Sequence, residues 1–109
     1  MFPGGGGSGQ ATALQQSGCS NVAQFVAQGG GFIGTCAGAY LAALGYSTAT
    51  TWLEIVNAQV IDVADWSRGT ADIQIHITNP ANVITTGFSE YLTAHYANGP
   101  LLGPGTSTN

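Results

Sequence analysis

Positive charge is nearly missing from this chain: Arg68 is the single Lys or Arg among 109 residues, and the net charge is −4. Neutralising nucleic-acid phosphates takes several Lys or Arg side chains, so nucleic acid is excluded as a partner. An anionic membrane surface is excluded on the same ground. Charge of either sign is scarce, at 6% of residues against about 25% in an ordinary soluble domain. Ser, Thr, Asn, Gln and Gly must therefore cover the surface. Long apolar runs are also lacking. The longest, around Ala37 to Leu44, contains Gly38 and Tyr40 and is too short to span a bilayer. Met1-Phe2-Pro3-Gly4-Gly5 carries neither the basic nor the apolar region of a signal peptide, so a cytoplasmic location is the default expectation. The only cysteines are Cys19 and Cys36, with no second Cys pair or close His pair of the kind zinc spacing requires. No metal and no cofactor is expected.

What remains is enough for one modest domain. Hydrophobic residues make up 44% of the chain, so it can form a core. The first nine residues hold five glycines and a proline, which reads either as a linker or as a backbone-rich loop at a strand end. Gln10 to Gln16 and Asn21 to Gln28 read as helical, the second with Val22, Phe25 and Val26 on one face. Gly29-Gly30-Gly31 stops it. Phe32-Ile33-Gly34 is a short apolar run read as a buried strand, followed by a small-residue helix from Ala37 that Gly45 ends. The order amounts to an α-β-α crossover. Trp52 to Val63 is rich in strand formers and reads as two pieces. Across Ala71 to Thr78, Ile73, Ile75 and Ile77 alternate with Asp72, Gln74, His76 and Thr78, the pattern of a half-exposed antiparallel strand. Glu90 to Tyr96 is a final strand, and from Asn98 the Gly, Pro, Ser and Thr content reads as a tail.

Gly34-Thr35-Cys36-Ala37-Gly38 has the form G-x-C-x-G, the cysteine counterpart of a nucleophile elbow. A nucleophile on a tight strand-to-helix turn needs flanking positions without bulk. The N-terminus of the following helix favours thiolate over thiol, and backbone N–H groups of the turn and of a nearby glycine loop can hold an oxyanion. A buried structural cysteine among small residues at a crossover satisfies the same pattern. On residue mechanics alone, both readings stand.

The segment Phe25 to Ala42, with Gly29-Gly30-Gly31-Phe32-Ile33-Gly34-Thr35-Cys36-Ala37-Gly38-Ala39-Tyr40 at its centre, resembles the elbow of the biotin-protein-ligase N-terminal-domain-like family of the class I glutamine amidotransferase-like superfamily. Phe2-Pro3-Gly4-Gly5-Gly6 resembles that family's PGG loop, Trp66-Ser67-Arg68-Gly69 its W-x-R-G segment, and Tyr96-Ala97-Asn98-Gly99-Pro100 its terminal Y-x-N-G-P. The resemblance implies a three-layer α/β flavodoxin-like fold. Its sheet would be mainly parallel, with late antiparallel strands, and would lack the N-terminal β-α units that precede the PGG loop. It also implies a partial domain over residues 1–103, a flexible tail over 104–109, and a truncated start or a partner chain completing the sheet.

A cysteine nucleophile takes a histidine as base and a carboxylate to orient it. The histidines are His76 and His95, and neither has a carboxylate in the H-x-E form of active glutamine amidotransferases. That departure favours a non-catalytic domain, whereas the resemblance itself implies a cysteine-dependent amidase or hydrolase of an amide, with Cys36 as nucleophile and His95 as proton shuttle. Gly5, Gly6 and Ala37 would supply oxyanion N–H groups, and Arg68 and Tyr40 would contact substrate or an anionic group. Tyr40, Trp52 and Trp66 also read as core or rim packing. The alternatives are a non-catalytic ligand-binding or regulatory domain, or a gene fragment without independent function.

Overall fold

The computed structural model describes residues 1–46, 52–61 and 69–106. The elements are α1 (Gly7–Ala27), α2 (Ala37–Ala42), β1 (Ala58–Val60), β2 (Thr70–His76), β3 (Tyr91–Ala97) and β4 (Leu102–Pro104). They fall into two compact units, Met1–Trp66 with Gly99–Asn109, and Ser67–Asn98.

In the first unit, α1 joins the two helical segments expected from the sequence, with a break at Gln15, whose φ of 56° and ψ of −178° are not helical. Its inner stripe is Ala11, Leu14, Cys19 and Val22, at helical spacing. The glycine stop has a defined form. Gly30 N–H donates to the Phe25 carbonyl and Gly29 N–H to that of Val26, with Gly29 at φ +94°. These are the two bonds of a Schellman cap. Phe25 lies over Gly30 and is 57% exposed, so it does not join Val22 on an inner face as its spacing predicts. Leu41 is fully buried, with Ala11, Cys19, Tyr40, Trp52 and Leu53 around it, and Phe2, Phe32, Ile55 and Val60 close the edge of this core. Trp52 to Ile55, expected as strand, runs as irregular chain: Leu53 N–H donates to the carbonyl of Leu41. Among the described residues of that stretch, β1 is the only strand. It pairs antiparallel with β4, Ala58 opposite Pro104 and Val60 opposite Leu102, so residues read as tail supply a strand.

In the second unit, β2 and β3 pair antiparallel from Thr70–Ala97 to His76–Tyr91. Directly opposed residues share a face. Ala71, Ile73 and Ile75 with Tyr96, Ala94 and Leu92 make the apolar side; Asp72, Gln74 and His76 with His95, Thr93 and Tyr91 make the polar side.

The expected flavodoxin-like fold with a mainly parallel sheet is corrected. Both described sheets are two-stranded and antiparallel. Among the described residues, parallel contact is limited to isolated bridges, Phe2 with Gly34 and Leu44 with Gln59. Parallel strands are stable when long apolar runs are covered on both faces. Here the run before Cys36 is three residues long and leaves Ile33 63% exposed, while Phe2 is followed at once by Pro3, which has no N–H for a ladder.

Candidate functional site

The chain start is stitched to the segment entering α2. Phe2 N–H donates to the Ile33 carbonyl at 2.8 Å, and Thr35 N–H donates back to the Phe2 carbonyl at 3.1 Å. The rings of Phe2 and Phe32 stack, with centroids 5.4 Å apart. Cys36 then turns the chain, with φ +50° and ψ −105°, and serves as N-cap of α2. That conformation is strongly disfavoured for a residue with a β-carbon and persists only where the surroundings impose it. The surroundings are the two glycines of the motif. A β-carbon on Gly34 would lie 2.6 Å from the Gly38 carbonyl oxygen, and one on Gly38 would collide with the Phe2 carbonyl. The bend is closed by N–H groups of Ala39 and Tyr40, both donating to the Cys36 carbonyl at 3.0 Å.

The glycine loop lies against the thiol. A β-carbon on Gly4 would sit 3.4 Å from Cys36 Cβ and 3.9 Å from its Sγ. Gln10, on the first turn of α1, donates from Nε2 to the Pro3 carbonyl at 2.9 Å and from its backbone to Gly6 at 3.1 Å, which fixes both ends of the loop. Of the residues assigned to oxyanion contacts, Gly5 has φ +130°, Gly6 is the N-cap of α1, and Ala37 opens α2 and is buried. A β-carbon at Gly5 or Gly6 would meet nothing within 4 Å, so the loop is open on that side. The first N–H groups of a helix have no partner inside it, and both helices begin here.

Neither cysteine is in a disulfide. Cys36 is partly exposed, whereas Cys19 is 4% exposed and burial pushes its thiol above the ordinary range. Tyr40 is 5% exposed. Its ring packs on Tyr46 at 4.4 Å, and Tyr46 meets Trp52 edge-on at 5.1 Å, so Tyr40 and Trp52 belong to the core and the exposed Tyr46 ring lies against both. Arg68 and Trp66 lie outside the described residues.

Both histidines are in the second unit, paired with carboxylates that sequence spacing did not reveal. His95 Nδ1 is 2.9 Å from Asp72 Oδ1, across the β2–β3 register. An ionised carboxylate only accepts, so in neutral His95 the proton is on Nδ1 and Nε2 carries the lone pair. His76 Nε2 is 3.4 Å from Glu90 Oε1, and its ring stacks on Tyr91 at 4.7 Å. All four side chains of these pairs are at least half exposed. Among the described residues, no group of three or more His, Cys, Asp or Glu side chains is placed to hold a metal ion. Nor is any helix among them long and apolar enough to cross a membrane.

The site is thus a strained cysteine between two sterically required glycines, beside a glycine loop. The family model for the N-terminal region of biotin-protein ligase matches residues 1–75, and the chain belongs to that family. The match includes the PGG loop and Cys36; His76 and His95 lie beyond it. No curated protein and no solved structure matches the chain significantly.

Proposed function

We propose that this chain is a glutamine amidotransferase-like, cysteine-dependent hydrolase that opens a small amide at Cys36. The observation that carries the reading is the Cys36 backbone, at φ +50° and ψ −105° between two glycines that no other residue can replace without collision. A merely structural cysteine has no use for that strain, whereas a nucleophile projected from a tight bend does. In the first half-reaction, the sulfur attacks the carbonyl carbon. An S–C bond forms, the carbonyl π pair moves to oxygen, and backbone N–H groups of Gly5, Gly6 and Ala37 hold that oxyanion. Collapse breaks the C–N bond, the amine leaves with a proton, and a thioester stays on Cys36. Water then hydrolyses the thioester to the acid and the free thiol.

A proton shuttle is also needed, and the role is assigned to His95 from its late place in chain order, as in the superfamily. Support for this role is the Asp72 contact, which leaves Nε2 as the basic nitrogen. Arg68, the one guanidinium in the sequence, would attract an anionic group on the substrate.

One observation favours a second reading, a ligand-binding domain without turnover. Each histidine already has a carboxylate partner, and the H-x-E pairing is absent. Release of amine from a panel of small amides, with mass measurement of an acyl adduct on Cys36, separates the two. Hydrolysis predicts release that Cys36→Ala abolishes. Equal background release by both proteins for every amide, with no adduct, would leave the binding domain.

A further inference from the structure

A second feature of the first unit is an apolar groove of about 230 Å³ beside the bend. Phe32 and Gly34 line it from the segment entering Cys36; Ala39, Ala42 and Ala43 line it from α2 and its end; Val56 and Leu102 form the rim. No lining residue carries a charged or hydrogen-bonding side chain. The rim is open to solvent, with Val56 44% and Leu102 43% exposed, so the groove is not an internal void.

We infer that this groove is a subsite for one compact apolar substituent, an aryl or short branched alkyl group, on the amide that Cys36 attacks. The inference rests on the hydrolase reading above and adds the substrate class. Its size sets the occupant: a pocket of about 150 Å³ takes a benzene ring, whereas an α-helix about 10 Å across is far too wide. Its chemistry sets the class, since glycine and alanine walls offer contact area and nothing for a polar group to bond. Its position ties it to the bend that carries Cys36. Gly34 precedes Cys36 by two residues, and Ala39, three residues after it, donates its N–H to the Cys36 carbonyl. The bend that presents the sulfur therefore also forms the groove wall.

The test uses the full chain and two reagents that alkylate thiols by the same displacement of iodide, iodoacetamide and N-benzyl iodoacetamide. Rates at Cys36 are compared with those of glutathione, which has no groove. The inference predicts that the benzyl reagent gains at least about fivefold at Cys36 relative to glutathione. Ala42→Leu, which fills the groove, and Val56→Gln, which makes an exposed rim position polar, should remove that gain and leave the iodoacetamide rate within about twofold. A benzyl-to-plain ratio equal to that of glutathione, or a gain that survives both substitutions, overturns the subsite. A thiol inert to both reagents counts against the nucleophile instead. In that event, titration of the Cys36→Ser chain with unreactive N-benzylacetamide decides the groove. Saturable NMR shifts at the methyls of Ala39, Ala42 and Ala43 support it, and their absence overturns it.

Discussion

The carbonyl oxygen of Phe2 occupies the place that a β-carbon on Gly38 would need. One contact thus joins the chain start, through the bridge from Phe2 to Gly34, to the helix that begins after Cys36. Gly38→Ala forces backbone to move and should cost about 1–3 kcal/mol in denaturant unfolding. Gly9 is the matched control. It is helical and a β-carbon there meets nothing, so Gly9→Ala should be neutral or stabilise by up to about 1 kcal/mol.

Replacing Cys36 itself should invert an ordinary ranking. Glycine normally costs about 0.5–1 kcal/mol relative to alanine in regular structure. At φ +50° and ψ −105° alanine keeps the strain and glycine releases it, a difference on the order of 1–3 kcal/mol. Cys36→Gly should therefore melt above Cys36→Ala, with both inactive. The reverse order would show that the bend is unstrained.

Cys19 sets a pH dependence. Burial raises its thiol above the unfolded value, so the folded chain favours the neutral form. That contribution is complete below the unfolded thiol range, near pH 9, and is lost as pH rises through the higher folded value. Thermal unfolding should thus fall off on the alkaline side, and Cys19→Ala should flatten that limb while lowering stability at pH 7 through lost packing.

Two local readings were legible because they rested on short-range sterics and alternation, whereas the Phe25 face and the Trp52–Ile55 strand were not. The G-x-C-x-G pattern marked the bend because both glycines are sterically required, and the Ile73-Ile75 alternation marked a two-faced antiparallel strand. Long-range pairing was not legible at all. Nothing local shows that Leu102–Pro104 finds β1, or that Asp72 stands opposite His95 across 23 residues, because register depends on the turn between strands. Gln10 fits a helix by sequence, yet its side chain also fixes the glycine loop through Pro3. The parallel sheet came from family resemblance, and the short Phe32–Gly34 run could not sustain it.

Asp72 separates orientation from stability. The pair with His95 is exposed, so Asp72→Asn should change unfolding free energy by less than about 1 kcal/mol. If His95 carries the proton, the same change should lower the rate of amine release at least about tenfold and shift its pH profile, and His95→Gln should match it. A rate unchanged by either substitution would move the proton role to another group.

The central claim is that Cys36 is held as a nucleophile and Cys19 as packing. Site-resolved mass spectrometry of the folded chain with limiting iodoacetamide at pH 7.5 measures this directly. The account predicts labelling at Cys36 at least about tenfold faster than at Cys19, with the difference erased in denaturant. Equal, slow labelling of both thiols in the folded chain would contradict it.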